Sequence, residues 1–182
     1  MPPGSPLGAV VGLVGYGDGG LHGCSITGYD FRTLASLHAC TAHPRRFRGD
    51  GRRDHHEAAT RFLNEDVRRL AACPQIVREY LAVTSRPVAV NGLGLSGEDA
   101  VANVEQFLEG MEVLAEGPAT TRSLMDLIVT GPSVGKQVRD ANVVAVALAH
   151  RAVAIVTDNP RHFARFAHVV VVEQIDGTTV TT

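Results

Sequence analysis

The stretch from Arg139 to Val172 limits the fold of this chain more than any other. It holds a helix-length run of small apolar residues, Arg139 to Ala149, then a β-rich apolar run, Ala152 to Thr157, and a second such run, Val169 to Val172. Strands without polar alternation are apolar on both faces, which is the pattern of a parallel sheet buried between helices. Helical patterns lead up to this stretch. Asp54-His55-His56-Glu57 reads as an N-cap with a reciprocating glutamate, and Ala59, Phe62, Leu63, Val67 and Leu70 follow at helical spacing. Pro74 suits the first turn of a second helix striped by Ile76, Tyr80 and Val83, which Pro87 stops. Ser96 with Asp99 opens a third helix carrying Val101, Val104, Phe107 and Leu108, Glu112 to Ala115 suits a short strand, and Thr121 to Val129 a further helix. The alternation predicts a three-layer α/β/α sandwich around a central, mainly parallel sheet.

A length of 182 residues and a hydrophobic content of 45% suit one core. The chain changes character near Asp54. Before it, glycine, proline and histidine are scattered without period, and only Ala9 to Val14 forms an apolar run that suits a strand. Residues 1–53 therefore read as an atypical segment, poorly ordered or loosely docked, and residues 54–182 as the domain. A net charge of −2 gives no overall basic field, so any contact with RNA is local. Three cysteines, Cys24, Cys40 and Cys73, form no disulfide framework, and no basic stretch followed by an apolar run marks export. The expected setting is the cytoplasm. Glycine or charge interrupts every apolar stretch short of the roughly 18 to 20 residues that span a bilayer, so no membrane partner is expected.

Three carboxylates stand where such a sheet binds ligands, beyond the carboxyl ends of its strands. Asp158 follows the run Ala152 to Thr157, Asp140 begins a helix, and Glu79 shares the inward stripe of Ile76 and Val83. Acids gathered on one edge repel unless a hard cation sits among them, and Mg²⁺ held by a few carboxylates and waters serves that role where the substrate is a phosphate. Each acid also has a plain structural use: Asp140 as a helix cap, Asp158 in a turn, Glu79 paired with Arg78 or Arg86.

Three stretches, in order and spacing, resemble PIN-domain proteins of the VapC type. Gln75-Ile76-Val77-Arg78-Glu79-Tyr80-Leu81-Ala82-Val83-Thr84-Ser85-Arg86-Pro87 is similar to the family's second motif, whose glutamate is here Glu79. Gly135-Lys136-Gln137-Val138-Arg139-Asp140-Ala141-Asn142 is similar to the third, with Arg139 where a histidine usually stands and Asp140 retained. Val156-Thr157-Asp158-Asn159-Pro160-Arg161-His162-Phe163-Ala164-Arg165-Phe166 is similar to the fourth, with His162 at the usual aspartate and Asp158 as its substitute. The first motif, a hydrophobic strand ending in an aspartate, belongs near Leu37 to Thr41, where this chain reads Leu37-His38-Ala39-Cys40-Thr41. Either that strand is lost or replaced, or the first fifty residues are not the genuine translation product.

The resemblance implies a PIN fold and a Mg²⁺-dependent endoribonuclease, with Mn²⁺ as an alternative ion, held inactive by a cognate antitoxin. It implies that Glu79, Asp140 and Asp158 bind the metal and orient water, and that Lys136, Arg139 and Asn159 meet RNA. A homodimer is a compatible assembly. Loss of the first aspartate favours a second reading, a catalytically inactive PIN domain that binds antitoxin or RNA.

Other motifs carry less. Gly15-Tyr16-Gly17-Asp18-Gly19-Gly20 has the spacing of a dinucleotide loop, but Gly23 and Gly28 argue against the helix that must follow. Gly131-Pro132-Ser133-Val134-Gly135-Lys136 is one residue short of a phosphate loop, with Gln137 where the metal-holding hydroxyl belongs. His22, Cys24, His38, Cys40 and His43 lack the spacing of zinc modules. Arg45, Arg46, Arg48, Arg52 and Arg53 suit either a guide for RNA phosphates or a solvated loop.

Overall fold

A computed structural model describes residues 9–11, 58, 61–90, 92–131, 133–157 and 160–179. Five strands form one sheet: β1 (Ala9–Val11), β2 (Leu70–Ala72), β3 (Glu112–Val113), β4 (Ala154–Thr157) and β5 (Val171–Gln174). Every pairing is parallel, in the order β3-β2-β1-β4-β5. Among the described residues the helices α1 (Pro74–Thr84), α2 (Gly97–Leu108), α3 (Pro118–Thr130), α4 (Gln137–Ala149) and the short α5 (Pro160–Phe163) follow β2. Because the order runs outward both ways from β1, right-handed crossovers place helices on both faces of the sheet. The burial of β4 agrees: Ala154, Ile155, Val156 and Thr157 are all buried, although successive side chains point to opposite faces.

Local chemistry explains the elements. Ser96 caps α2, its hydroxyl accepting from the Asp99 N–H at 3.0 Å and donating to the Asp99 carboxylate at 2.7 Å. In α4, Ala141 and Val143 through Ala147 are all buried, so this helix is core nearly all round. It packs against α3, while α1 packs against α2. The sequence expectations for α1, α2, α3, α4, β3, β4 and β5 are met with shifts of a few residues at the ends.

Two expectations are corrected. The helical spacing that ran from Ala59 to Leu70 stops early: residues 61–65 are helical, Val67 is 98% exposed, and Leu70 opens β2. The cause is a turn in which the Asp66 carboxylate accepts from the Arg68 N–H at 2.8 Å, offering the backbone an alternative to the helix. Arg68 then fixes the turn by pairing with both Asp66 and Glu173 of β5. The second correction concerns the N-terminal segment. Ala9–Val11, the start of the apolar run Ala9 to Val14 that suited a strand, stands at the centre of the sheet, in register with β2 and β4, so this part of residues 1–53 is not loosely docked. Parallel ladders supply all the partners a three-residue strand needs, and so short a run among glycines leaves little periodic signal. Leu37 to Thr41, the glycine motif, the His and Cys pairs and the arginine cluster lie outside the described residues.

Candidate active site at the carboxyl edge of the sheet

In this strand order the connections diverge between β1 and β4, and the carboxyl ends of those strands flank the crevice where open α/β sheets bind ligands. The first turn of α4 reaches the same edge, since α4 leads into the amino end of β4. A turn with Gly135 at φ +57° precedes it, a left-handed conformation that favours glycine. Val134 N–H donates to the Gln137 side chain at 3.1 Å, which ties that turn to the helix start.

Asp140, in the first turn of α4, is 1% exposed. Its Oδ2 accepts from Arg165 Nη2 at 2.8 Å and lies 3.5 Å from His162 Nδ1. Its Oδ1 is buried and, among the described residues, has no hydrogen-bond partner. Burial pushes the Asp140 carboxyl above its ordinary value, and the charges of His162 and Arg165 oppose the rise. Both partners come from the segment after β4, His162 on α5 and Arg165 on the 3₁₀ turn Ala164–Phe166, where the Arg165 guanidinium also lies 4.8 Å from the centre of the Phe166 ring.

Glu79 lies in the middle of α1 with its side chain 14% exposed. Burial raises its carboxyl, and the nearby charge of Asp140 adds to the rise. Gln75, one turn earlier, donates Nε2 to Glu79 Oε1 at 2.9 Å, and Arg139 Nη1 stands 4.0 Å from the same oxygen. Gln75 also reaches α4: Nε2 lies 3.2 Å from the Arg139 carbonyl, and Oε1 accepts from Asn142 Nδ2 at 2.8 Å. Asn142 donates on to Glu116, beyond β3, which is paired with Arg78.

Asp140 thus lies close enough for its charge to reach Glu79. Lys136 and Arg139 are exposed beside them, in and just before the first turn of α4. Asp158 and Asn159 lie outside the described residues, and among the described residues no three metal-ligating side chains come together. Mg²⁺ takes one or two carboxylates and completes its shell with water, and the unmet Asp140 Oδ1 is a donor of the kind such an ion takes, with Glu79 as the neighbouring carboxylate. The residues that sequence reasoning left out of the site are Gln75, Asn142, Glu116, His162 and Arg165. Only His162 carried a signal: it occupies the usual place of the fourth acid, and that place does face Asp140.

The fold and the site define an α/β protein with an acidic site at the switch point of a parallel sheet. The PIN domain family profile matches residues 48–169, and the chain belongs to that family. Two solved structures share the fold. VapBC2 from Rickettsia felis, bound to a DNA fragment from the promoter, aligns with a TM-score of 0.51 at 14% identity over 92% of this chain and 98% of that one. VapBC-1 from nontypeable Haemophilus influenzae aligns with a TM-score of 0.51 at 15% identity over 79% of this chain and 94% of that one. A comparison with curated proteins returns no match.

Proposed function

We propose that this chain is a metal-dependent endoribonuclease of the VapC type, acting in the cytoplasm and held in check by a cognate antitoxin. The observation that carries the reading is the pair Glu79 and Asp140, a half-buried and a buried carboxylate with raised proton affinity at the carboxyl edge of a PIN sheet. Mg²⁺ held there, or Mn²⁺ in its place, would supply an activated water and stabilise the leaving oxygen of a phosphodiester. Glu79 and Asp140 hold the ion, with Asp158 as the third acid in the chain order of the family. Lys136, Arg139 and Asn159 meet the RNA backbone, where exposed cations neutralise phosphate. The fold shared with two VapBC proteins supports an antitoxin as partner.

The test is cleavage of a labelled oligoribonucleotide with Mg²⁺ and with EDTA. Cleavage is expected only with the metal, and Asp140→Asn and Glu79→Gln should each reduce the rate at least tenfold, about 1.4 kcal/mol. A specific observation favours a second reading, an inactive PIN domain that binds antitoxin or RNA. Beyond Val11 the sequence runs Gly12-Leu13-Val14-Gly15-Tyr16-Gly17 before its first acid, Asp18, so β1 is not followed directly by the family's aspartate. RNA binding without Mg²⁺-dependent cleavage would support that reading and end the first.

A further inference from the structure

Gln75 hydrogen-bonds to both acid-bearing helices, and its amide is almost fully committed. Nε2 donates to Glu79 Oε1 at 2.9 Å and to the Arg139 carbonyl at 3.2 Å, while Oε1 accepts from Asn142 Nδ2 at 2.8 Å. Only this orientation works. A flipped amide would set its oxygen against a carboxylate and a carbonyl, and its nitrogen against another amide nitrogen. The Arg139 carbonyl belongs to the residue preceding Asp140, so the bonds run from the Glu79 carboxylate to the backbone that carries Asp140. Asn142, one residue beyond Ala141, holds the far side of the amide and is itself anchored on Glu116 at 3.0 Å.

We propose that Gln75 is a positioning residue for the reaction: it orients the Glu79 carboxylate and locks α1 to the first turn of α4, fixing the spacing of Glu79 and Asp140. The inference rests on the nuclease reading above and assigns a role which that reading does not need. The physical reason is that a cation shared by two helices is bound well only when both carboxylates are held before it arrives. Glu79 is half-buried mid-helix, and a side chain of that length samples several rotamers unless a neighbour fixes it. Gln75 lies four residues earlier on the same face, the spacing at which helix side chains meet. Asn142 acts through Gln75, its amide donating to Gln75 and Glu116.

The experiment uses the full chain, with Mn²⁺ alone as the calorimetric probe and a labelled oligoribonucleotide as the kinetic one. Gln75→Leu keeps much of the volume and removes all three bonds. It should weaken Mn²⁺ binding about tenfold and lower kcat at saturating Mn²⁺ while leaving KM for RNA within twofold. Asn142→Leu should give a smaller loss of the same kind, and the double variant should be no worse than Gln75→Leu, because both act on one amide. If Gln75→Leu does not fold, Asn142→Leu alone must show the kcat loss at unchanged KM. Mn²⁺ affinity and kcat within twofold of the unaltered chain, or losses that multiply in the double variant, would overturn the proposal. An unaltered chain that neither binds Mn²⁺ nor cuts RNA overturns the nuclease reading, and this inference with it; normal binding by both variants overturns the inference alone.

Discussion

At the scale of single residues, Asp140 carries two opposed roles. A buried carboxylate with one oxygen on Arg165 and the other unmet is partly neutralised within the protein, and the cation proposed above would compete with that neutralisation. Removing the guanidinium should therefore separate stability from metal response. Arg165→Met is expected to lower the denaturation midpoint in EDTA, by about 1–3 kcal/mol of lost charged hydrogen bonding, and to enlarge the stabilisation that Mg²⁺ gives. Thermal melts of both proteins in EDTA and in Mg²⁺ check this; an unchanged metal response in the variant would count against it. The acids also set a pH dependence. Glu79 and Asp140 both have raised proton affinity in the folded chain, chiefly through burial. The folded state then keeps protons that the unfolded chain has released, so stability declines as pH rises from the ordinary carboxylate range through the raised values. In EDTA, the unaltered chain should lose more stability between about pH 4 and pH 7 than a Glu79→Gln, Asp140→Asn double variant. Denaturant melts across that range would read the difference in slope.

At the scale of elements, caps and core strands contribute in different ways. Ser96→Ala removes both hydroxyl bonds at the start of α2, and about 1 kcal/mol of stability should go with them. Chemical denaturation of the variant measures that loss, and RNA cleavage should not change because α2 carries none of the site residues. Ile155 in β4 is fully buried between both layers of helices. Ile155→Ala should cost about 2–5 kcal/mol, a large share of the roughly 5–15 kcal/mol by which an ordinary domain is stable. Circular dichroism of the purified variant would show it, and a native-like melt would mean that the strand is packed less tightly than its burial implies.

At the scale of the whole molecule, the ion triad of Asp66, Arg68 and Glu173 spans the sheet. Arg68 stands before β2 and Glu173 lies on β5, with β1 and β4 between those strands. The Arg68 guanidinium beside Asp66 holds that carboxyl below its ordinary value of 3.8. A carboxyl lowered in the folded state stabilises above its unfolded value, and the contribution is lost as pH falls through the folded one. Arg68→Met should accordingly cost roughly 1 kcal/mol at neutral pH, with the difference from the unaltered chain vanishing in strong acid. Paired denaturation curves at the two pH extremes check it. At the same scale, no helix among the described residues is long and apolar enough to cross a membrane.

What the sequence alone determined is local or carried by motifs. The periodic stripes of α1, α2 and α4, the Ser96 cap and the two-sided apolar runs of β4 and β5 are written within a few residues of one another, where propensity and burial agree. Glu79 and Asp140, the acids of the candidate site, are marked by motif spacing. The tertiary structure decided the rest. The placing of Ala9–Val11 between β2 and β4 depends on partners more than fifty residues away. The helical stripe toward Leu70 gave way because Asp66 and Arg68 close a turn that Glu173, 105 residues from Arg68, helps to hold. Arg165 on Asp140, and Gln75 between Glu79 and Asn142, are likewise contacts between elements. Hydrogen bonds of this kind leave no period in a single sequence, because their direction is set only once the helices meet at the edge of the sheet.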